Sequence, residues 1–176
     1  FEHASVISFI DIAHRLDRLD APAALVARVE QAAADELHHA ELCFGLAGRY
    51  LGLSLRPGRL RVPLRLPRGR RVELEVLAAE SVRDGMYNEG VASWLAVHAG
   101  RHVTDGRVRE VLQVIATDEA SHAQLSADIV AWCIAEGGLD VELAVQATAT
   151  TMTEIGVAPL PEGVNRRTLA EHGVIG

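Results

Sequence analysis

The chain has 176 residues, of which 49% are hydrophobic, and it carries a formal net charge of -7. This length suits one domain with a sizeable core, and the composition excludes a disordered chain and, because no apolar stretch is long enough, a transmembrane segment. The acidic balance argues against nucleic-acid and membrane partners, and with no signal peptide visible and two isolated cysteines we expect a cytoplasmic protein.

Apolar residues at helical spacing predict a first pair of long helices. The first helix runs to about Leu19, and the second, with Asp20 as its N-cap and a proline in its first turn, runs to about Tyr50. A connection rich in proline and arginine follows from Leu51 to Arg71, and it contains a short extended piece at Arg61–Leu66. The pattern therefore predicts a helical hairpin followed by a long crossover.

A second pair of helices follows the crossover. The third helix is predicted from Val72 to His98, and a turn at Gly100–Gly106 contains Thr104 or Asp105 as the cap of the next helix. That fourth helix ends at a Gly-Gly pair after Glu136.

The C-terminal part is predicted to add one more helix. Leu139 to Ile155 has helical spacing, and residues 156–176 contain prolines and glycines typical of a mostly irregular tail. We therefore expect one helical domain over residues 1–155. Helix five and the tail either cover this domain or form a homodimer contact, and the sequence favours neither.

An internal repeat carries the candidate chemistry. Helices two and four share the pattern Asp-Glu-x-x-His-Ala-x-Leu, once at Asp35–Leu42 and once at Asp118–Leu125. Residues three apart lie on the same helix face, so Glu36 and His39 can reach one metal site, as can the equivalent pair in helix four. That second pair is Glu119 and His122.

Each remaining helix offers one further carboxylate at the same distance from the hairpin turn as the Glu-x-x-His motif. Glu2 lies level with Glu36 across the first hairpin, and Glu89 lies level with Glu119 across the second. Glu80 stands about 13 Å further along the third helix and, at about 100° per residue, on another face, so we predict Glu89 as the ligand.

The resulting pattern, Glu…Glu-x-x-His…Glu…Glu-x-x-His, resembles the ferritin-like di-iron carboxylate superfamily, which includes bacterioferritin, rubrerythrin, the ribonucleotide reductase small subunit and several bacterial oxygenases. The resemblance implies an all-α fold, a ferritin-like four-helix bundle with a long crossover between helices two and three, here with a C-terminal fifth helix. It also implies that Glu36 and Glu119 bridge two metal ions, with Glu2 and Glu89 as terminal ligands.

The same resemblance suggests partners for the ligating histidines. In several members the aspartate before Glu-x-x-His orients the histidine of the opposite helix, a place that Asp35 and Asp118 occupy here. The chain departs from many members in having His38 and Ser121, rather than arginine, immediately before the histidines. The outer hydrogen-bond network therefore differs from theirs.

Several small residues stand near the predicted ligands. Small side chains at such positions allow either close helix packing or an access pocket for O2 or a small substrate. The candidate pocket residues are Cys43, Gly85, Ser93 and Ser126. For Cys43 a small buried hydrophobe is favoured.

The aromatic and histidine side chains outside the motif are predicted to have other roles. Trp94 and Trp132 are predicted to be packing residues, and His98 a surface or packing residue. Tyr87 lies about 200° around the helix from Glu89, which makes it a poor radical tyrosine.

Carboxylate and imidazole ligands favour iron or manganese. We expect two iron ions, with Fe/Fe preferred and Mn/Fe as the alternative, in an O2-activating oxidase or oxygenase that acts on a small molecule with an unidentified electron donor. The alternatives are a ferroxidase or iron-storage protein, whose substrate is free iron, and a non-catalytic metal-binding bundle. Two cysteines cannot form a rubredoxin-like iron site, and the arginine-rich connection suits a ferritin cage poorly.

Overall fold

The computed structural model describes residues 2–61 and 68–152, and all regular secondary structure within these two ranges is helical. In chain order the elements are α1 (Glu2–Arg18), α2 (Ala23–Leu51), α3 (Arg70–Glu80), a π-helical segment (Ser81–Glu89), α4 (Gly90–His102), α5 (Gly106–Gly137) and α6 (Leu139–Met152). The all-helical prediction is confirmed for this part of the chain. The predicted extended piece at Arg61–Leu66, apart from Arg61 itself, and the predicted tail lie outside the described residues.

The chain divides into two compact units, unit 1 (Phe1–Leu77) and unit 2 (Ala78–Gly176), and the boundary falls inside α3. None of the described helices is long and apolar enough to cross a membrane.

Unit 1 is built on the hairpin of α1 and α2, which pack along each other. Their apolar faces supply Phe9, Leu16 and Val29 to the core, and α3 adds Leu74 and Leu77. All five side chains are at most 3% exposed, and the start of α3 falls in the same compact unit as the hairpin.

The turn between α1 and α2 differs from the prediction. Asp20 is not the N-cap of α2: it has a left-handed backbone with φ of 57°, and its N–H donates to the carbonyl of Asp17. Pro22 occupies the N-cap position, and no side chain there bonds to the first turn of α2. The prediction was wrong because Asp20 is used to turn the chain.

A buried ion pair ties α3 to α1 within unit 1. Arg15 Nε donates to Glu73 Oε1, and the two residues are only 4% and 5% exposed. Asp11 is a second carboxylate near the guanidinium, with Oδ2 3.5 Å from Nη1. Because buried charges are costly unless they are paired, this contact fixes the position of the start of α3 against α1.

Unit 2 is organised around α5, which packs against the π-helical segment, α4 and α6. Val82, Val130 and Met152 form one apolar cluster between the π-helical segment, α5 and α6. The predicted ends of α5 are confirmed. The Asp105 side chain accepts a hydrogen bond from the N–H of Arg107, and Gly138 ends the helix with φ of 64° and ψ of -143°, a conformation for which glycine is nearly obligatory.

Candidate metal centre

In unit 1 three predicted ligands come together, and we call them the first half-site: Glu2 from α1 with Glu36 and His39 from α2. One donor atom from each lies within 4.8 Å of the other two. Glu36 and His39 are fully buried, whereas Glu2 is half-buried. The Nδ1 atom of His39 is 3.7 Å from Glu36 Oε1, because one helical turn separates the two residues.

Unit 2 contains the matching second half-site: Glu89 at the end of the π-helical segment with Glu119 and His122 from α5. Their donor atoms again lie within 4.8 Å of one another. Glu119 and His122 are 1% and 2% exposed, and His122 Nδ1 is 3.5 Å from Glu119 Oε2. Glu89 is half-buried, as Glu2 is in the first half-site.

The size and chemistry of each half-site fit a metal ion. When nitrogen and oxygen atoms bind an ion at about 2.1 Å, two donor atoms on opposite sides of the ion are at most about 4.2 Å apart. The donor atoms of each half-site lie within 4.8 Å of one another, so a small shift brings them to this distance. Carboxylates buried this deeply require a cation or strong hydrogen bonding. A set of two carboxylates and one imidazole suits divalent iron, manganese or zinc.

Both histidines turn the same nitrogen towards their glutamate. Since Nδ1 is the atom near the carboxylate in His39 and in His122, Nδ1 is the donor placed for a metal, which leaves Nε2 for an orienting partner. Asp35 and Asp118 are half-buried. Asp35 Oδ1 accepts a hydrogen bond from Gln31 on its own helix. Their predicted role in orienting the histidines stays a prediction.

Cys43 lies in the electrostatic surroundings of the first half-site. Burial raises the pKa of its half-buried thiol, and the carboxylate of Glu2 and, more weakly, that of Glu36 raise it further. The thiol is therefore held in its neutral form next to the carboxylates. Its predicted contribution to a pocket stays a prediction.

The other three candidate pocket residues serve helix packing. A Cβ atom at Gly85 would overlap the Oγ and Cβ atoms of Ser126, which is itself 2% exposed. Ser93 Oγ donates a hydrogen bond of 2.8 Å to the carbonyl of Ala116. These contacts fit close packing between the third predicted helix and α5, and the access pocket stays a prediction.

The π-helical segment was not expected from the sequence, and it ends at a predicted ligand, Glu89. Its hydrogen bonds link residues five apart, so side chains follow one another at less than 100°. Over the nine residues from Glu80 to Glu89 the smaller rotation accumulates, so Glu80 is no longer turned to another face. Tyr87 is only two residues from Glu89 and stays nearly opposite it on the helix. The position along the helix still favours Glu89, which lies beside Glu119. No hydrophobic spacing marks the segment; only Gly85, a poor helix former, does.

Trp94 corrects a second prediction. It is 62% exposed rather than packed, and its ring stacks on the imidazole of His98. The prediction was wrong because the side of α4 that faces α5 is filled by small residues, Ala96 and Ala99, which leaves the large ring outside.

Comparisons of the chain with protein-family models, with curated proteins and with solved structures found no match. Membership of the ferritin-like superfamily therefore stays a prediction, carried by the ligand pattern alone.

Proposed function

We propose that the two half-sites face each other in a ferritin-like four-helix bundle and together hold two metal ions, preferably iron, with a mixed manganese and iron pair as the alternative. One observation carries this proposal. Each unit places a glutamate beside a buried Glu-x-x-His, and the donor distances are nearly the same in both.

Charge balance supports a pair of ions rather than one. Each half-site holds two carboxylates and one imidazole, which must be neutral to bind a metal, so its charge is -2. One divalent ion per half-site neutralises this charge. A single ion shared by both half-sites would leave two buried negative charges uncompensated, which is unfavourable in a water-poor interior.

The activity that we propose is O2-dependent oxidation of a small molecule. When bound, two ferrous ions in such a ligand set supply electrons to O2. The protein's part is to orient the imidazoles and to exclude bulk water around Glu36 and Glu119. Glu2 and Glu89 are more exposed than the other ligands, so O2 and substrate approach from their side.

The test is anaerobic loading with ferrous iron, removal of unbound metal and iron analysis, followed by exposure to O2 under an absorption spectrometer. We expect about two iron ions per chain and a ligand-to-iron absorption band that appears with O2. Glu119→Gln keeps the side-chain shape and should lose the pair. The matched control on the same helix is Glu110→Gln, whose exposed carboxylate pairs with Arg107.

The outcomes separate the proposed function from its alternatives. Iron uptake that continues far beyond two ions per chain would favour a ferroxidase or storage protein. Two bound irons that consume no O2 would favour a non-catalytic bundle. Wild-type protein that retains far fewer than two ions, or Glu119→Gln protein that retains both, would overturn the metal assignment itself.

A further inference from the structure

One face of α4 carries a row of three rings spaced four residues apart: Trp94, His98 and His102. The Trp94 and His98 rings stack with centroids 5.3 Å apart and an interplanar angle of 13°. The His98 and His102 centroids are 4.9 Å apart at an angle of 54°. Trp94 and His102 are exposed and His98 is half-buried, so the row borders solvent.

The two imidazoles have their nitrogen atoms available. Stacking on Trp94 engages the face of the His98 ring, whereas a metal binds in the plane of the ring. Within residues 2–61 and 68–152, neither histidine has a hydrogen bond or ion pair; their recorded contacts are the two ring contacts. Neither ring is therefore committed to a polar partner in that part of the chain.

We propose that His98 and His102 form a surface chelate for one divalent late transition-metal ion. Two histidines at positions i and i+4 of a helix lie on one face and can bind the same ion, as in the zinc-binding motif His-x-x-x-His. Two neutral imidazoles without a carboxylate favour Cu²⁺ most, with Ni²⁺ and Zn²⁺ weaker. Water fills the remaining positions, so the ion exchanges readily.

This site is separate from the second half-site in the same unit. His98 follows Glu89 by nine residues, or about 13 Å along the helix, which is too far for one ion to touch both. The ligand classes also differ, since the half-site is rich in carboxylate and the surface pair has only imidazole. The proposal does not depend on what the buried half-sites bind.

The neighbouring Trp94 supplies the measurement. In a Trp132→Phe background Trp94 is the sole tryptophan, and Cu²⁺ bound next to His98 should quench its fluorescence. We expect the quenching to fit binding at a single site, and to be reversed when an excess of chelator removes the copper. His98→Ala or His102→Ala should each weaken binding by about tenfold or more.

The matched control is His14→Ala, which removes a single exposed histidine from α1 and should leave the Cu²⁺ titration unchanged. Equal quenching in a protein that lacks both His98 and His102 would mean an adventitious ion only, and would overturn the proposal. The titration is repeated in Glu119→Gln protein, where we expect the same affinity. Loss of quenching in that variant would mean that the Trp94 signal comes from copper bound at the buried carboxylates, which would also overturn the surface site.

Discussion

The two half-sites reach the same donor arrangement from different backbones. In unit 1 the first glutamate, Glu2, lies on a regular α-helix, whereas in unit 2 Glu89 is the last residue of a π-helical segment. Yet the donor atoms lie within 4.8 Å of one another in both, and both histidines present Nδ1. The two units therefore share the arrangement of the donor atoms rather than one helical period.

The largest expected effect tests whether the two half-sites are equivalent. Glu36→Gln and Glu119→Gln should each lower the affinity for the ion pair by more than about a hundredfold, because each removes a ligand and a compensating charge from a buried site. Competitive chelator titration measures both affinities. A difference of more than about tenfold between the two variants would break the equivalence.

The buried pair of Arg15 and Glu73 in unit 1 gives the next largest effect. The ion pairs described in unit 2 are exposed, apart from the His122–Glu119 pair of the half-site. Glu73→Gln should lower the free energy of unfolding by about 3 kcal/mol, because it leaves the buried guanidinium of Arg15 without its main counter-charge. Urea denaturation measures this loss.

The control for that variant is Glu75→Gln, which breaks the pair between Glu75 and Arg71 on the same helix. The Arg71 side chain is 71% exposed, so we expect a loss of only about 0.4 kcal/mol. Equal losses in the two variants would show that burial of the Arg15 pair contributes nothing.

In unit 2 the corresponding feature is the close approach of Gly85 to Ser126. Gly85→Ala should destabilise the protein by about 2 kcal/mol, because the new methyl group has to displace a buried side chain or the helices themselves. Adding Ser126→Gly in the same chain should recover part of this loss, since it removes the overlapping atoms.

Gly90→Ala is the matched control. Gly90 follows the same π-helical segment, has an ordinary helical φ of -61°, and has nothing within 4 Å of an added Cβ. Because alanine favours a helix over glycine, the control should gain about 0.5 kcal/mol. A Gly85→Ala variant that also gains stability in urea denaturation would reject close packing at Ser126.

The sequence predicted what depends on local spacing. Hydrophobic periodicity predicted the order of the helices, and the depth of the hairpins predicted that Glu2 lies beside Glu36 and Glu89 beside Glu119. Asp105 and Gly138 were recognisable because capping chemistry is carried by single residues.

Features that depend on tertiary contacts were not predictable in the same way. The nine residues of the π-helical segment contain too few apolar side chains to reveal a change of helical period. The contact between Gly85 and Ser126 depends on how far one helix is shifted along the other, and the spacing of apolar residues does not give this shift at atomic detail. The failure at Asp20 arose because an aspartate two residues before a proline suits a turn as well as a cap.

The smallest expected effect concerns how the second helix of each hairpin begins. In unit 2 the Asp105 side chain accepts a hydrogen bond from the N–H of Arg107 at the start of α5, whereas in unit 1 Pro22 occupies the N-cap position of α2 without a side-chain cap. Asp105→Ala should therefore cost about 1 kcal/mol in urea denaturation, and Asp105→Asn should cost almost nothing because asparagine caps equally well. If both variants lose the same amount, the contribution of Asp105 comes from its charge near the helix N-terminus rather than from the cap bond, and raising the salt concentration should then reduce it.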